Sequence, residues 1–286
     1  MPRLALLLTT IIWGATFPAT KAALEQIPPF SFLFLRFLLG ALLVGLWLLA
    51  VRHAFRRERA VLQASAIATV FLFLGYVLQT VGLRYTSASN SAFLTALYVI
   101  IVPVILRRFT WRIVAATIIA TAGLWLLVKP SASMNLGDVM TFGCAVAFAG
   151  HIVCLERFTR RFDAPSLLAW QMAAMPVLLA PALLWEQAPA GAFAPTAVLL
   201  VGLGVTGGLA TGAFAVQMWA QQIVPAQQVA LVFASEPAYA AWLSWYFLGE
   251  TLDTAGWIGS GLILAAVVLG AFESGPAAAT PAVRPA

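Results

Sequence analysis

The chain has 286 residues, of which 62% are hydrophobic and only 9% are charged. Soluble globular domains carry about 25% charged residues, so this composition excludes a water-soluble protein. Apolar segments recur along the whole chain, each long enough to cross a hydrocarbon core about 30 Å thick. Inside a bilayer the backbone must satisfy its own hydrogen bonds, and the alternating pattern of a membrane β-barrel is absent. The sequence therefore predicts an all-α integral membrane protein.

Hydropathy predicts ten transmembrane helices in chain order. They cover 4–22, 30–51, 61–83, 88–106, 111–128, 137–157, 165–184, 196–219, 226–247 and 254–272. The residues 273–286 are rich in proline and alanine, and we expect them to be a disordered tail.

Basic residues are distributed unevenly between alternate loops. Ten of them lie in or beside the loops after helices 2, 4 and 6: Arg52, Arg56, Arg57, Arg59, Arg107, Arg108, Arg112, Arg157, Arg160 and Arg161. The other side of the membrane receives four: Lys21, Arg36, Arg84 and Lys129. The positive-inside rule places the arginine-rich loops and both termini in the cytoplasm. Because these arginines lie in short clusters between apolar segments, they indicate membrane topology and not a nucleic-acid partner.

The two halves of the chain are weakly similar at an offset of about 135 to 143 residues. Leu35-Arg36-Phe37 aligns with Trp170-Gln171-Met172, and Ala88-Ser89-Asn90 aligns with Ala226-Gln227-Gln228. Five helices in each half is an odd number, so the second half must enter the membrane upside down. We therefore predict two inverted five-helix repeats, 4–128 and 137–272, with a substrate site between them near mid-membrane.

Several segments resemble a known family of transporters. Trp13-Gly14-Ala15-Thr16-Phe17-Pro18 resembles the first helix of EamA-type proteins in the drug/metabolite transporter superfamily. The segment from Arg84 to Leu94 resembles the entry into their fourth helix, and Glu236-Pro237 followed by Leu248-Gly249-Glu250 resembles the end of their second half. The likeness covers nearly the whole chain. Val99 departs from it, since many relatives have proline there, and we expect helix 4 to be straighter than helix 9.

This resemblance implies ten helices, cytoplasmic termini, the inner membrane of a bacterium, and export of amino acids or other metabolites. Within the family, the chain is most similar to bacterial exporters of aromatic and other neutral amino acids. The direction of transport rests on this resemblance alone.

Polar and aromatic residues near mid-membrane are the candidates for substrate binding. They are Trp13, Tyr76, Gln79, Tyr98, His151, Trp170, Gln171, Ser235, Tyr239 and Trp242. Polar groups that face lipid are costly, so we expect a shared cavity, with hydrogen bonding between helices as the alternative. Such a cavity suits a neutral or zwitterionic molecule with an apolar side chain. Aromatic faces also hold cations, which leaves cationic drugs open.

Three residues are candidates for coupling or gating: Glu236, Pro237 and Arg36. Glu236 lies about 15 Å into helix 9, where a carboxylate costs on the order of 3 kcal/mol. It is either a site for a proton or a substrate ammonium, or a structural carboxylate beside a kink at Pro237, where Phe233 loses its hydrogen-bond donor. For Arg36, pairing with a substrate carboxylate or another helix competes with snorkelling to the outer interface, which we favour.

Glycines at positions 204, 208 and 212 are spaced by four residues in helix 8. This spacing predicts a smooth face for close helix packing, with a hinge as the alternative.

We interpret the protein as a transporter that exports small organic metabolites by alternating access around a central cavity. A multidrug or cationic-metabolite exporter and a passive facilitator or channel are the alternatives. Catalytic residues, metals and cofactors are not expected, because the chain lacks paired intramembrane aspartates, a serine nucleophile motif, a metal cluster and a phosphate loop. The expected partners are the small-molecule substrate and the lipid bilayer. A monomer is compatible with the pattern, and the oligomeric state is left open.

Overall fold

The computed structural model of the chain describes residues 2–129, 134–248 and 253–271. These ranges contain ten membrane helices: α1 (Pro2–Ala23), α2 (Pro29–Ala50), α3 (Arg59–Gly82), α4 (Ala88–Leu106), α5 (Trp111–Val128), α6 (Leu136–Thr159), α7 (Ala164–Leu184), α8 (Ala197–Gln221), α9 (226–248) and α10 (Thr254–Ala271). The first eight are each long and apolar enough to span a bilayer. The prediction of ten helices is confirmed, and the predicted tail 273–286 lies outside the described residues.

Short polar residues start several of these helices. Their side chains accept a hydrogen bond from a backbone N–H in the first turn, which otherwise has no partner in a helix. These caps are Ser87 on α4, Thr110 on α5, Asn135 on α6, Asp163 on α7 and Thr196 on α8. The caps mark where the chain leaves each connection and enters the bilayer.

Successive helices run in opposite directions, so their ends alternate between two faces of the bundle. One face holds the connections 51–58, 107–110, 160–163 and 222–225, and we call it the arginine-rich face. There the Arg56 N–H donates to Ser166 Oγ at 3.0 Å. The connections 24–28, 83–87 and 185–196 lie at the opposite face, where the Phe30 N–H donates to Glu186 Oε1 at 2.9 Å. This arrangement matches the alternation from which the topology was predicted.

The two halves pack as equivalent repeats. α1 packs on α8 as α6 packs on α3, and α1 contacts α9 as α6 contacts α4. α5 pairs with its own counterpart α10, where a Cβ on Gly123 would lie only 2.7 Å from the carbonyl oxygen of Gly259. Because each contact has a counterpart in the other half and each half holds five helices, the fold consists of two inverted five-helix repeats, as predicted.

Both α4 and α9 are interrupted at equivalent places. α4 consists of Ala88–Ala96 and Tyr98–Leu106, and α9 consists of Ala226–Phe233 and Glu236–Leu248. At each break a backbone N–H bonds to the carbonyl oxygen three residues earlier instead of four, as the Leu97 N–H does to Leu94 O at 3.3 Å.

α4 is interrupted at one residue, Leu97, and α9 at two, 234–235, and the expectation that α4 is the straighter helix stays a prediction. In α9, Pro237 removes the donor that would serve the carbonyl of Phe233. In α4, Pro103 likewise removes the donor that would serve the carbonyl of Val99, which lies two residues after the break at Leu97. A proline at position 99 is thus not needed to interrupt the helix.

The glycines of α8 pack differently from the prediction. A Cβ added at positions 204, 208 or 212 would meet no atom within 4 Å, so this face is not a contact surface. The tightly packed glycine is Gly207, whose added Cβ would lie 2.8 Å from the carbonyl oxygen of Arg36. Gly207 belongs to the π-helical segment Gly204–Leu209, through which α8 packs against α2.

Candidate functional site

A central cavity lies between the two repeats. Helices α1, α3 and α4 line it from the first half, and α6, α8 and α9 line it from the second. The lining residues are Trp13, Thr16, Phe17, Tyr76, Gln79, Thr95, Tyr98, Phe148, His151, Ile152, Phe214, Gln217, Phe233 and Glu236. The volume open to the centres of water molecules is about 50 Å³. A single water needs about 10–15 Å³ by this measure, so the cavity has room for a few waters.

Aromatic rings form most of the cavity wall. The ring of Trp13 lies 4.5 Å from Phe233 and 5.3 Å from Phe214, measured between centroids. Tyr76 makes an edge contact with Phe148 at 5.2 Å. The Trp13 Nε1–H is buried and has no hydrogen-bond partner within the described chain. Buried indole N–H groups usually find a partner, so Trp13 is a cavity residue with an unused donor.

Glu236 is a carboxyl group in this wall, and its side chain follows directly after the break in α9. Gly14 lets α1 approach that point closely, since a Cβ on Gly14 would lie 2.9 Å from the Glu236 carbonyl oxygen. The Tyr98 hydroxyl lies beside the Glu236 carboxyl, and it is buried without an acceptor in good hydrogen-bond geometry. Within the described residues Glu236 forms no ion pair with a basic side chain. The carboxyl is therefore free to accept a cation or a proton from the cavity.

Arg36 is buried behind the cavity wall and is only 3% exposed. Its Cζ atom lies 4.4 Å from the centroid of Tyr76 and 5.1 Å from that of Phe37, within the range of cation–π attraction. Its Nη2 donates to the Thr206 carbonyl oxygen at 3.0 Å, inside the π-helical segment of α8, and its Nε has no partner. The favoured interpretation of Arg36 as a snorkelling residue is therefore wrong, because two aromatic faces and a carbonyl hold the guanidinium inside the bundle.

Two polar side chains of the cavity, His151 and Gln79, are held by their neighbours. His151 Nε2 forms a hydrogen bond with Gln171 Oε1 at 2.9 Å, and Gln171 Nε2 donates to the Leu167 carbonyl at 3.2 Å. Gln79 Nε2 donates to Thr95 Oγ1 at 3.2 Å. Gln171 thus stands behind His151 and positions it, while His151 itself faces the cavity.

The two halves of the chain each match one family. The EamA-like transporter family covers residues 2–129 and again residues 135–271. The chain belongs to this family. It is similar to an uncharacterized transporter of Archaeoglobus fulgidus, with 31% identity over 93% of this chain and 84% of that one. It also resembles the uncharacterized transporter YwfM of Bacillus subtilis, with 25% identity over 91% of this chain and 90% of that one. A crystal structure of another protein has the same fold, with a TM-score of 0.78 at 18% identity over 95% of this chain.

Membership of the EamA-like family makes this chain a multi-pass membrane transporter and not an enzyme. The match to each half also agrees with the repeats seen in the structure. The relatives are named only as transporters, so the substrate has to be argued from the cavity.

Six of the ten candidate substrate residues are brought together at the site. Trp13, Tyr76, Gln79, Tyr98 and His151 line the cavity of this EamA-like protein, and Gln171 supports it. Their binding of substrate stays a prediction.

Four of the candidates lie away from the cavity. Trp170 is at the arginine-rich face, where its Nε1 donates to the Arg56 carbonyl at 3.0 Å. Ser235 Oγ donates to the Val232 carbonyl at 2.6 Å, and Tyr239 contacts Trp242, which is 42% exposed on the outside of the bundle. These last three were chosen from the spacing of a continuous helix 9, which the structure interrupts at 234–235. Their binding of substrate stays a prediction. Pro237 follows the same break, and Glu236 keeps its place at the cavity.

Residues of α8 were missing from the predicted site. Phe214 and Gln217 both line the cavity, and the Gln217 Oε1 atom is buried without a partner. Gln217 Nε2 donates to Gln221 Oε1 at 2.9 Å, and Gln221 in turn donates to the Ile152 carbonyl at 2.8 Å. The helical spacing of Phe214, Gln217 and Gln221 was the available signal, because polar side chains in a membrane helix turn inward.

Proposed function

We propose that this EamA-like protein exports small zwitterionic molecules, most specifically aromatic or other neutral amino acids, by alternating access. The observation that carries the proposal is the central cavity between the repeats, which combines the carboxyl of Glu236, the arginine-backed ring of Tyr76 and a wall of aromatic side chains. We place the arginine-rich face and both termini in the cytoplasm of a bacterium, following the positive-inside rule.

The two ends of an α-amino acid have complementary groups at this site. The ammonium fits the carboxyl of Glu236, with the Tyr98 hydroxyl beside it. The carboxylate fits the side of Tyr76, where Arg36 supplies positive charge from behind and has an unused Nε donor. An apolar side chain would then pack against the rings of Trp13 and its neighbours. Charge-assisted contacts at both ends would give specificity for the zwitterion.

Alternating access follows from the size and position of the cavity. Its open volume of about 50 Å³ is too small for an amino-acid side chain as large as an indole, so the cavity must widen to load and unload. The breaks in α4 and α9 lie at the level of the cavity, and they divide each helix into two parts that can move separately. Inverted-repeat transporters bind substrate between the repeats and beside such broken helices.

A second candidate function is the export of cationic metabolites or drugs. It is favoured by one observation: Glu236 lines the cavity directly, while Arg36 is separated from it by the ring of Tyr76. A cation surrounded by aromatic faces beside one carboxylate would fit the same space without using Arg36. The two candidates therefore differ in whether Arg36 contributes to substrate recognition.

The test is flux of radiolabelled substrates in proteoliposomes, with and without a pH gradient. We expect flux for neutral and aromatic amino acids, and a loss of about tenfold to a hundredfold in Glu236→Gln, since a hydrogen bond to a charged group is worth about 1.5–3 kcal/mol. Glu58→Gln is the matched control, because Glu58 is exposed at the arginine-rich face beside Arg56.

The outcomes separate the candidates. Absence of flux for every neutral amino acid would reject the zwitterion proposal. Flux of organic cations that survives Arg36→Gln but not Glu236→Gln would establish the second candidate. Equal flux with and without a gradient would show a passive facilitator.

A further inference from the structure

The first part of each broken helix is fastened to α1 and α6 at its outer end. For α4 this part is Ala88–Ala96, and its fastening lies at the opposite face. Lys21, near the end of α1, donates from Nζ to the carbonyl oxygens of Leu83 and Thr86, the latter at 2.9 Å. These carbonyls belong to the connection that leads directly into α4.

Asp138, in the first turn of α6, completes the same fastening. Its Oδ1 accepts hydrogen bonds from Thr86 Oγ1 at 2.7 Å and from Asn90 Nδ2 at 2.5 Å. Asp138 is 3% exposed, so it is sheltered although it lies near the end of the bundle. We call Lys21 and Asp138, with the groups of the connection 83–87 and of α4 that they hold, the first latch.

A corresponding fastening holds the first part of α9, Ala226–Phe233, at the arginine-rich face. Glu156, near the end of α6, accepts a hydrogen bond from the Ala226 N–H at 3.0 Å. Arg3, at the start of α1, donates from Nε and Nη2 to Gln228 Oε1 at 3.1 and 3.0 Å. We call Arg3 and Glu156, with the α9 groups that they hold, the second latch.

Basic side chains support Glu156 in this position. Its Oε1 lies 3.3 Å from Arg160 Nη1 and 3.5 Å from Arg108 Nη1. Glu156 is 6% exposed, and these partners offset the cost of burying its carboxylate. The second latch therefore also ties the connection between α4 and α5 to α6.

The two latches are related by the repeat. Lys21 and Glu156 are 135 residues apart in the chain, and so are Arg3 and Asp138. Lys21 and Glu156 occupy equivalent places in the two halves, and so do Arg3 and Asp138. The charges are reversed, because α1 carries a cation at both ends and α6 carries an anion at both ends. Lys21, a hydrogen-bond donor, accordingly binds backbone carbonyls, whereas Glu156, an acceptor, binds a backbone N–H.

The hydrogen bonds of both latches are formed in this structure. The parts that they hold contribute to the cavity wall, since Thr95 lies in the last turn of the first part of α4 and Phe233 ends the first part of α9. Directly beyond the first latch lies a polar pocket of about 590 Å³ at the opposite face, lined among others by Lys21, Thr86 and Asn90. Release of the first latch would connect the cavity to this pocket.

We propose that these residues are the two gates of the transport cycle: Lys21 with Asp138 closes the cavity toward the opposite face, and Arg3 with Glu156 closes it toward the arginine-rich face. Opening one gate swings the first part of α4 or of α9 about the break at its cavity end, while the other latch stays closed. This mechanism rests on the alternating access of the proposed function, but not on the identity of the substrate.

The experiment measures access to the cavity from each face without any substrate. Both natural cysteines, Cys144 and Cys154, are replaced by alanine, and Thr16→Cys on α1 supplies one thiol in the cavity wall. A membrane-impermeant charged thiol reagent is applied to right-side-out and to inside-out vesicles. We expect Lys21→Ala to raise the labelling rate from the opposite face and Glu156→Gln to raise it from the arginine-rich face, each on the order of tenfold, as the loss of a charged hydrogen bond shifts an equilibrium.

Two control variants change charge without touching a latch. Arg84→Ala removes a cation from the wall of the same polar pocket, and Glu58→Gln removes an anion from the arginine-rich face. Both are expected to label at the rate of the parent. If Lys21→Ala does not fold, Asp138→Asn tests the same latch with a side chain of the same shape.

Unchanged labelling in the latch variants, or an increase from both faces in one variant, would overturn the two-gate proposal. Labelling of the parent from both faces at a high rate would instead refute alternating access itself. Failure of the substrate proposal would show only in the flux measurements, so the two can be told apart.

Discussion

The contact between α2 and α8 at Gly207 gives a sharp test of how Arg36 is held. In Gly207→Ala the added methyl group would lie 2.8 Å from the Arg36 carbonyl oxygen, 3.2 Å from its Cα and 3.1 Å from Leu39 Cδ2. Two of these three atoms are backbone and cannot move aside without shifting the helix. The neighbouring Gly208 is the matched control, since an added Cβ there would meet nothing within 4 Å.

The magnitude follows from the difference between the two positions. Alanine is favoured over glycine within a helix by up to about 1 kcal/mol, and this gain applies to both variants. Overpacking costs about 1–3 kcal/mol and applies only to Gly207→Ala. We therefore expect Gly207→Ala to be less stable than Gly208→Ala by about 1–3 kcal/mol, which is roughly 2–4 °C in Tm for each kcal/mol in a chain of this size.

The assay is thermal unfolding of the purified protein in detergent, followed by the fluorescence of its 10 tryptophans. Flux in proteoliposomes is the second measurement, because α8 can yield only by moving the Thr206 carbonyl away from Arg36, which would weaken flux in Gly207→Ala alone. If both variants unfold at the same temperature and transport equally well, the close contact and its role in holding Arg36 are refuted.

Three further predictions concern single residues. Trp13→Ala should reduce flux strongly because the ring forms part of the cavity wall, whereas Trp242→Ala, on the outside of the bundle, should leave flux close to the parent; equal losses would contradict the assigned site. Arg36→Lys should also lower flux, because an ammonium cannot stack flat on a ring and donate sideways as a guanidinium does, and flux at the parent level would remove the guanidinium from the mechanism. Asp163→Ala should lower the stability at neutral pH by about 1 kcal/mol through loss of the α7 cap. Burial raises the pKa of Asp163, but hydrogen bonds from the start of α7 and from His53 outweigh it and hold the pKa below its usual value. The stabilisation is therefore present above the unfolded-state pKa of about 3.9 and fades as the pH falls through the lower folded-state value, so unfolding curves that differ equally at all pH values would contradict it.

Hydropathy and chain length were sufficient for much of the architecture. The hydropathy of each apolar segment predicts a membrane helix independently of the other segments. Ten helices were predicted in this way, and the described residues contain ten. The odd number of helices per half then required inversion. The cavity residues Trp13, Tyr76, Gln79, Tyr98 and His151 were found for a related reason, since polar and aromatic groups near mid-membrane are expensive in lipid and turn inward.

The predictions that the structure does not support depend on direction within or between helices. Tyr239 and Trp242 are not among the residues that line the cavity, although their spacing fits one face of a continuous helix, and α9 is interrupted at 234–235. Arg36 was expected at the interface, and it lies inside because a π-helical segment of α8 offers a carbonyl to it. Pro237 signals an interruption of α9, but the π segment of α8 has no local signal strong enough to read from the chain.

The sequence by itself thus determined that this protein spans a membrane ten times, as two repeats with the resemblance of an EamA-type transporter. Only the tertiary structure decided which polar groups meet: that Glu236 faces the cavity, that Arg36 stands behind Tyr76, and that Lys21 and Glu156 hold equivalent parts of the two repeats. The reason is physical. Transfer from water to lipid is a property of each segment separately, whereas hydrogen bonds and ring contacts depend on how helices from the two halves are rotated against one another.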